Sequence, residues 1–285
     1  MTQPLDELSF ETQLVHAGER AGWPTGEPTT TPIYTATTYT YDSMVEVDRV
    51  FAGEERGYVY TRYGNPTVAA LEEAVRLFEK GAGACAYSSG MAALHAALLA
   101  CELEPGSVIL ASQDLYGVTL QLLNTVFAPF GVKVALVDLS ERERLWAAAR
   151  DLRPRAILVE TISNPLLKIC PIDVCAEVAR EVGARLIVDN TFATPYLCQP
   201  LELGADFVVH SATKYLSGHA DAIGGVVVAR DEADLLALRG VVKTVGGVLS
   251  VWEAYGILRG LKTLALRMRQ HCENARRVAE RLASH

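Results

Sequence analysis

The chain has 285 residues, of which 50% are hydrophobic, so it can bury the core of a large α/β domain and carry additional elements. Its formal net charge of -8, from 34 acidic and 26 basic residues, argues against nucleic acid or an anionic membrane as the main partner. The opening stretch MTQPLDELSFETQ has neither a basic nor an apolar segment, and no stretch reaches the roughly 18 apolar residues of a membrane helix, so we expect a cytoplasmic protein.

The N-terminal part, residues 1–62, is rich in Thr, Pro, Gly and Tyr and shows little helical or strand periodicity. This composition predicts an extended N-terminal arm rather than part of the folded core. Because an arm this polar cannot bury itself, we expect it to pack on something larger.

The middle of the chain, residues 63–246, alternates short apolar runs with amphipathic segments. The segment NPTVAALEEAVRLFEKG has Asn65 as N-cap, Pro66 at the first helical position and Gly81 as a stop, and DVCAEVAREVG at 173–183 is also helical. Repeated alternation of strand and helix predicts an α/β fold with a mainly parallel sheet and helices on its faces. The strand-like runs are ACAYSS, SVILAS, KVALVD, AILVET, RLIVDN, FVVHSA and GGVVVA.

After Gly247 the pattern is helical to the end of the chain, so we treat residues 247–285 as a separate segment. One apolar stripe of this segment is formed by Leu264, Met268, Ala275, Val278 and Leu282.

The cysteines are scattered without a CxxC pair, a spacing that fits neither a disulfide framework nor a zinc site. We therefore expect buried, reduced thiols and no metal. They are Cys85, Cys101, Cys170, Cys175, Cys198 and Cys272.

A single lysine, Lys214, follows the apolar run FVVHS. An uninterrupted apolar run suits a strand covered on both faces, so Lys214 should lie near the carboxyl end of that strand, where open α/β sheets bind ligands. An amine flanked by the hydroxyls of Ser211 and Thr213 can form a Schiff base with an aldehyde cofactor while the hydroxyls hold a phosphate. Pyridoxal 5'-phosphate (PLP) is the candidate cofactor; a surface lysine on a loop is the alternative.

PLP also needs an acid for its ring nitrogen, an anion site for its phosphate and a flat partner for its ring. Asp189 ends the run RLIVD, where a pyridinium N–H would pair its carboxylate, although a helix cap is the alternative. The turn before the helix GMAALHAAL directs the backbone N–H groups of Gly90 and Met91 at an anion. Tyr116 follows SVILAS and offers an aromatic face, with buried filler as its alternative.

The order of several longer motifs is specific, and it resembles the Cys/Met-metabolism family of PLP enzymes. This family includes cystathionine gamma-synthase, cystathionine gamma-lyase, methionine gamma-lyase and O-acetylhomoserine sulfhydrylase. The resemblance implies fold-type I, the aspartate aminotransferase-like fold, and trans-sulfuration by γ-replacement or γ-elimination. The motifs are TQLVHAGE, YVYTRYGNPT, SSGMAA, DLYG, VDNTFATP, HSATKYLSGHAD and RGLKTLALRM.

The resemblance implies catalytic roles for two residues. Lys214 matches the Schiff-base lysine, and Tyr116 matches the ring-stacking tyrosine that also serves in acid–base steps. Asp189 matches the partner of the pyridine nitrogen, and Asn164 matches a residue beside the cofactor's hydroxyl and the substrate. The implied phosphate contacts are Gly90, Met91, Ser211 and Thr213.

The resemblance also implies an oligomer. Tyr60 and Arg62 match a pair that reaches the phosphate of a neighbouring subunit, which implies at least a dimer and usually a dimer of dimers with shared sites. The arm 1–62 would then contribute to the neighbouring subunit. Bidentate pairing with phosphate suits the guanidinium of Arg62.

The chain departs from the family pattern in two places and ends early. Ile162 stands where the family has Pro, and Val118 stands where it usually has a small residue. Family members continue past residue 285 into a domain carrying the Arg that binds the substrate's α-carboxylate, so 247–285 is expected to be only the start of that domain. Two alternatives stay open: a truncated, catalytically impaired homologue that retains PLP binding or oligomerisation, and an aminotransferase of the same fold.

Overall fold

A computed structural model of the protein describes residues 28–138 and 141–285. The chain divides into two compact units, Met1–Pro32 and Ile33–His285, and all elements named below belong to the second. The first 27 residues of the predicted arm, including the motif TQLVHAGE, lie outside the described residues. Among the helices of the described part, none combines the length and the apolar character needed to cross a membrane.

A seven-stranded sheet forms the centre of the second unit. The strands lie in the order β1-β7-β6-β5-β4-β2-β3, and β7 runs antiparallel to both of its neighbours while the other pairs are parallel. The prediction of a mainly parallel sheet is confirmed. The strands are β1 Gly83–Tyr87, β2 Val108–Ser112, β3 Lys133–Val137, β4 Ala156–Glu160, β5 Arg185–Asp189, β6 Phe207–Ser211 and β7 Gly225–Ala229.

Helices flank this sheet on both faces. The fourth of them continues into a wider π-helical turn at Leu123–Phe127 and a short 3-10 turn at Ala128–Phe130. The α-helices of the described residues are α1 Met44–Ala52, α2 Pro66–Glu79, α3 Gly90–Ala100, α4 Gly117–Leu122, α5 Arg142–Leu152, α6 Ile172–Val182, α7 Thr194–Leu197, α8 Glu232–Val245, α9 Val251–Leu261 and α10 Leu264–Ala283.

The caps explain where α2 begins and ends. The side chain of Asn65 accepts the N–H of Thr67 at 2.9 Å, as its predicted N-cap role requires. The helix ends at Lys80, whose φ of 60° is left-handed, one residue before the predicted stop at Gly81. Leu71 and Val75 are fully buried, as the periodicity indicates.

Helix α1 lies inside the segment that the composition assigned to an extended arm. Ser43 caps it by accepting the N–H of Glu46 at 3.3 Å, and Gly53 ends it with a φ of 76°. The helix is amphipathic, but it buries none of its residues. The expectation of an extended chain is therefore wrong for residues 44–52.

The core has two halves, one on each face of the sheet. Alternate strand residues belong to opposite halves: in β5, Leu186 and Val188 pack with α2 and α6, whereas Ile187 packs with α3 and α8. Because both faces are covered, the strands read as continuous apolar runs.

The same alternation decides on which face of the sheet each polar residue at a strand end lies. Glu160, Asp189 and Ser211 lie on the face of the sheet that carries α3, whereas His210 lies on the face that carries α2.

The C-terminal stripe is buried only at its beginning. Leu264 and Met268 belong to the core, whereas Val278 and Leu282 are exposed. The six cysteines are free, but Cys272 is exposed, so the expectation of buried thiols is wrong for that residue. No group of side chains in the described residues is arranged to hold a metal ion.

Gly225 in β7 allows a close approach to the turn before α3. A Cβ at Gly225 would overlap the carbonyl oxygen of Ser89, whereas a Cβ at Gly240 in α8 would meet open space. We expect Gly225→Ala to lower the free energy of unfolding by about 1–3 kcal/mol, because backbone has to move. Gly240→Ala should raise it by about 0.5–1 kcal/mol, because it removes a helix-interior glycine. Urea unfolding measures both; similar effects of the two changes would contradict this account of β7.

Candidate functional site

Five predicted site residues lie at the same edge of the sheet. Asp189 is the last residue of β5, Lys214 follows β6 by three residues, and Asn164 follows β4 by four. Tyr116 comes four residues after β2, and Gly90 begins the helix that follows β1. These five strands run in the same direction, so their carboxyl ends meet at one edge, where ligands of open α/β folds bind.

The start of α3 forms an anion cradle together with the end of β6. Ser89 caps the helix by accepting the N–H of Ala92 at 3.1 Å, and the N–H groups of Gly90 and Met91 have no acceptor among the described residues. A Cβ at Gly90 would lie 2.7 Å from Cβ and 2.9 Å from Oγ of Ser211. Two free N–H groups and a hydroxyl thus lie side by side, which suits a phosphate.

The Asp189 carboxylate lies on the same face of the sheet. Its Oδ1 accepts the backbone N–H of Thr191 at 3.0 Å, and α7 begins only at Thr194, so the helix-cap alternative does not apply. Burial raises the pKa of Asp189, while hydrogen bonds from Thr191 and the charge of His210 lower it. A cationic N–H donor beside this carboxylate would replace the hydration that burial removes.

Lys214 lies in a tight turn after β6. Its backbone N–H donates to the Ser211 carbonyl at 3.1 Å, and its own carbonyl accepts the N–H of Gly218 at 2.8 Å. The side chain is exposed, and its amine makes neither an ion pair nor a hydrogen bond within the described residues. The amine is therefore available to a ligand.

An open cleft of about 790 Å³ is lined by Lys214 and Thr213, together with Tyr215, Glu253 and His271. Neither Asp189 nor Tyr116 lines this cleft. The Thr213 hydroxyl is hydrogen-bonded to the backbone of Gly224, accepting its N–H at 3.1 Å. The described chain thus surrounds Lys214 with two distinct environments, the cleft and the strand-end cradle.

Glu160, the last residue of β4, is a site residue that sequence reasoning missed. It is buried, and its two oxygens accept the backbone N–H groups of Tyr116 at 2.6 Å and of Asn164 at 3.2 Å. Burial raises its pKa to about 7, with a smaller contribution from Asp189, the residue opposite it in β5. The available signal was a carboxylate ending the apolar strand AILVE, the same signal that identified Asp189.

A buried polar network lies on the other face of these strand ends. His210 Nε2 and Glu79 Oε1 are 2.7 Å apart, and Asn190 donates to the same Glu79 oxygen at 2.9 Å. Thr161 donates to Asn190 Oδ1 at 2.8 Å, and its backbone N–H donates to the carbonyl of Asp189 at 2.9 Å. The network therefore links α2 to the strand residues that flank the site.

Tyr60 and Arg62 are not brought to the other predicted site residues in the described chain. The Arg62 guanidinium lies 5.4 Å from the Tyr60 ring and 5.0 Å from the Tyr63 ring, and it donates to the carbonyl of Lys243. A role of this pair in a neighbouring subunit stays a prediction.

The family model described as Cys/Met metabolism PLP-dependent enzyme matches residues 11–285. An L-methionine gamma-lyase of Porphyromonas gingivalis is 44% identical over 257 residues, which cover 90% of this chain and 64% of that protein. The chain thus spans less than two thirds of the length of this curated relative.

Two solved structures extend the comparison. Cystathionine gamma synthase from Xanthomonas oryzae pv. oryzae, in complex with cystathionine, has a TM-score of 0.83 and 40% identity, covering 89% of this chain and 63% of that one. A putative O-acetylhomoserine (thiol)-lyase from Campylobacter jejuni, containing N'-pyridoxyl-lysine-5'-monophosphate, has a TM-score of 0.84 and 29% identity, covering 90% of this chain and 71% of that one. The fold-type I prediction is confirmed.

Gly90→Ala tests the anion cradle. Because the added Cβ would press on Ser211, it should separate α3 from the end of β6 and weaken PLP binding about tenfold or more. Gly117→Ala is the matched control, since its Cβ would meet open space. Equilibrium titration with PLP, followed by protein fluorescence, measures both affinities. Equal affinities of the Gly90 and Gly117 variants would argue against a phosphate at this helix start.

Proposed function

Because the chain belongs to the Cys/Met metabolism family of PLP-dependent enzymes, we propose that it catalyses trans-sulfuration on sulfur amino acids or activated homoserine. The reaction is γ-replacement or γ-elimination. The observation that carries the proposal is the free amine of Lys214 at the same sheet edge as the Asp189 carboxylate and the Gly90–Ser211 cradle. The proposed amino-acid substrates are based on two relatives. One is an L-methionine gamma-lyase, and the other is a cystathionine gamma synthase in complex with cystathionine.

The residues at this edge fit PLP by their chemistry. The unpaired N–H groups of Gly90 and Met91 and the hydroxyl of Ser211 suit its phosphate, and Asp189 suits its ring nitrogen. Lys214 offers an amine with no competing partner in the described part of the chain. When bound, PLP supplies an aldehyde that couples to amines and a ring that accepts electrons from the substrate's α-carbon.

Lys214 has two tasks in the proposed mechanism. Its amine would hold the cofactor covalently in the resting enzyme. With an amino-acid substrate bound, the free amine of Lys214 would take the proton from the substrate's α-carbon. The tight turn that bonds its backbone to Ser211 and Gly218 fixes the Lys214 backbone directly after β6.

Asp189 and Tyr116 have different proposed roles, one at the cofactor's ring nitrogen and the other at the ring face and the γ-substituent. Asp189, ionised, would hold a proton on the ring nitrogen and so favour electron flow away from the α-carbon. Tyr116, 43% exposed, would offer its ring to the cofactor and its phenol to the departing γ-substituent. Asn164 would lie beside the cofactor's hydroxyl. In γ-replacement a thiol takes the place of the γ-substituent, whereas γ-elimination with water releases the γ-substituent, a 2-oxo acid and ammonia.

We further propose that the chain forms a homo-oligomer, a dimer of dimers, in which Tyr60 and Arg62 complete the site of a neighbouring subunit. The support is that Arg62 contacts Tyr63 and Lys243 in its own chain and none of the residues around Lys214 in the described segments. The cytoplasmic location expected from the sequence stays a prediction.

Lys214→Ala tests the proposed chemistry. The variant should lose the visible absorption of bound PLP and all turnover of O-acetylhomoserine, cystathionine and methionine, because Lys214 offers the free amine at this edge while Lys168, after β4, is paired with Asp114. Borohydride reduction followed by peptide mass spectrometry should place the cofactor on Lys214 in the wild type. Lys168→Ala is the control, since that amine is 2.7 Å from Asp114 and should leave labelling of Lys214 intact. Cofactor trapped on another lysine of the wild type would refute the assignment.

Mixing two inactive variants tests the shared site. Arg62→Ala and Lys214→Ala subunits, combined under conditions that allow exchange, should form mixed dimers with one site that has both an intact Lys214 and a partner's intact arginine. We expect partial recovery of PLP occupancy and turnover, up to about a quarter of the wild-type level for random mixing. Verified exchange without recovery of either quantity would rule out a shared site.

A further inference from the structure

We propose that Glu160 is a positioning residue that holds the two loops bearing Tyr116 and Asn164 at a fixed spacing over the cofactor site. This inference rests on the proposed function, because Tyr116 and Asn164 are its predicted ring and hydroxyl contacts. One carboxylate serves both loops: Oε1 accepts the N–H of Tyr116 at 2.6 Å, and Oε2 accepts the N–H of Asn164 at 3.2 Å.

Besides this shared carboxylate, the ion pair of Lys168 and Asp114 joins the same two loops at 2.7 Å, but it does not involve the backbone of Tyr116 or Asn164. Tyr116 lies 44 residues before Glu160 in the chain, after β2, and Asn164 lies four residues after it. The Tyr116 side chain is exposed and its helix, α4, has no side-chain cap, so the bond to Glu160 is what ties the start of that helix to β4. Movement of Glu160 would therefore shift both predicted cofactor contacts together.

The strength of the two hydrogen bonds depends on the charge of the Glu160 carboxyl group, and neighbouring groups influence that charge. Asp189 faces it from β5, and the loop after β2 contributes Tyr116 itself and Asp114, which pairs with Lys168. Burial and Asp189 raise the pKa of Glu160 to about 7, against the two N–H bonds, which lower it. Above that pH both oxygens accept strongly; below it, a proton removes the charge shared by the two oxygens and weakens both bonds.

Amide hydrogen exchange of the two N–H groups provides the test. NMR of the full chain, with and without added PLP, gives protection factors of the Tyr116 and Asn164 amides between pH 6 and pH 8. In the wild type we expect both factors to rise about tenfold with pH, because a charged acceptor strengthens both bonds. In Glu160→Gln we expect at least one amide to lose about tenfold protection at pH 8, and the pH dependence of both to disappear.

Glu72→Gln is the matched control. Burial raises the pKa of Glu72 to about 7 as well, and its carboxylate accepts one backbone N–H, that of Ala86, at 2.8 Å. It should leave the Tyr116 and Asn164 amides unchanged. If Glu160 served only general stability, both variants would lose similar protection of the Tyr116 and Asn164 amides, and the proposal would be wrong. It would also be wrong if Glu160→Gln kept the wild-type protection factors.

Cofactor affinity supplies a second readout. PLP titrations of Glu160→Gln should show affinity weakened about tenfold at pH 8 and no transition near pH 7, whereas Glu72→Gln should follow the wild type. If Glu160→Gln does not fold, the wild-type pH series decides alone: amides without a transition between pH 6 and pH 8 contradict the proposal.

The trapping experiment on Lys214 separates this inference from the proposed function. Cofactor trapped on Lys214, together with amides that ignore the Glu160 change, removes the role of Glu160 and keeps the function. If the two amides respond as expected but no cofactor is ever trapped on the chain, the proposed function is refuted. Glu160 would then still be the link between the two loops.

Discussion

The parallel pairing of β6, β5, β4 and β2 is the constraint on which the site depends. Each strand of this group presents its carboxyl end at the same edge, and the register aligns Glu160 with Asp189 across β4 and β5. Since adjacent strands lie about 4.8 Å apart, residues distant in sequence become neighbours once the register is set. A slip by one residue would turn Asp189 to the face of α2 and remove it from the cradle.

Polar groups at this edge survive burial because each has a partner. Glu160 accepts two N–H groups, Asp189 accepts one, and Asn190 is bonded to both Glu79 and Thr161 on the opposite face. Unpaired groups occur in both places among the described residues: the N–H groups at the start of α3 and the amine of Lys214 at the proposed ligand site, and Glu79 Oε2 and His210 Nδ1 in the network. The N–H groups at the start of α3 differ because they lie beside the Ser211 hydroxyl, an arrangement that suits a phosphate.

Lys214 lies near two different environments, the anion cradle at the start of α3 and an open cleft. The anion cradle at the start of α3 is the proposed phosphate site, whereas the cleft lined by Lys214, Tyr215, Glu253 and His271 lies toward α9 and α10. The chain spans 64% of the methionine gamma-lyase that it resembles, and Arg62 contacts only its own neighbourhood. Whether a second copy of the chain contributes to the site is what the subunit-mixing experiment tests.

The sequence by itself determined the seven strands, the N-cap of α2 at Asn65 and the placement of Lys214 and Asp189 at strand ends. These features depend on local patterns: a covered strand has a continuous apolar run, and a polar residue ending that run must lie at the sheet edge. Tertiary structure alone decided that Glu160 joins Tyr116 to Asn164, because that bond spans 44 residues and depends on which strands are neighbours. It also decided that Val278 is exposed, since whether an apolar residue is buried depends on what packs against it and not on its periodicity.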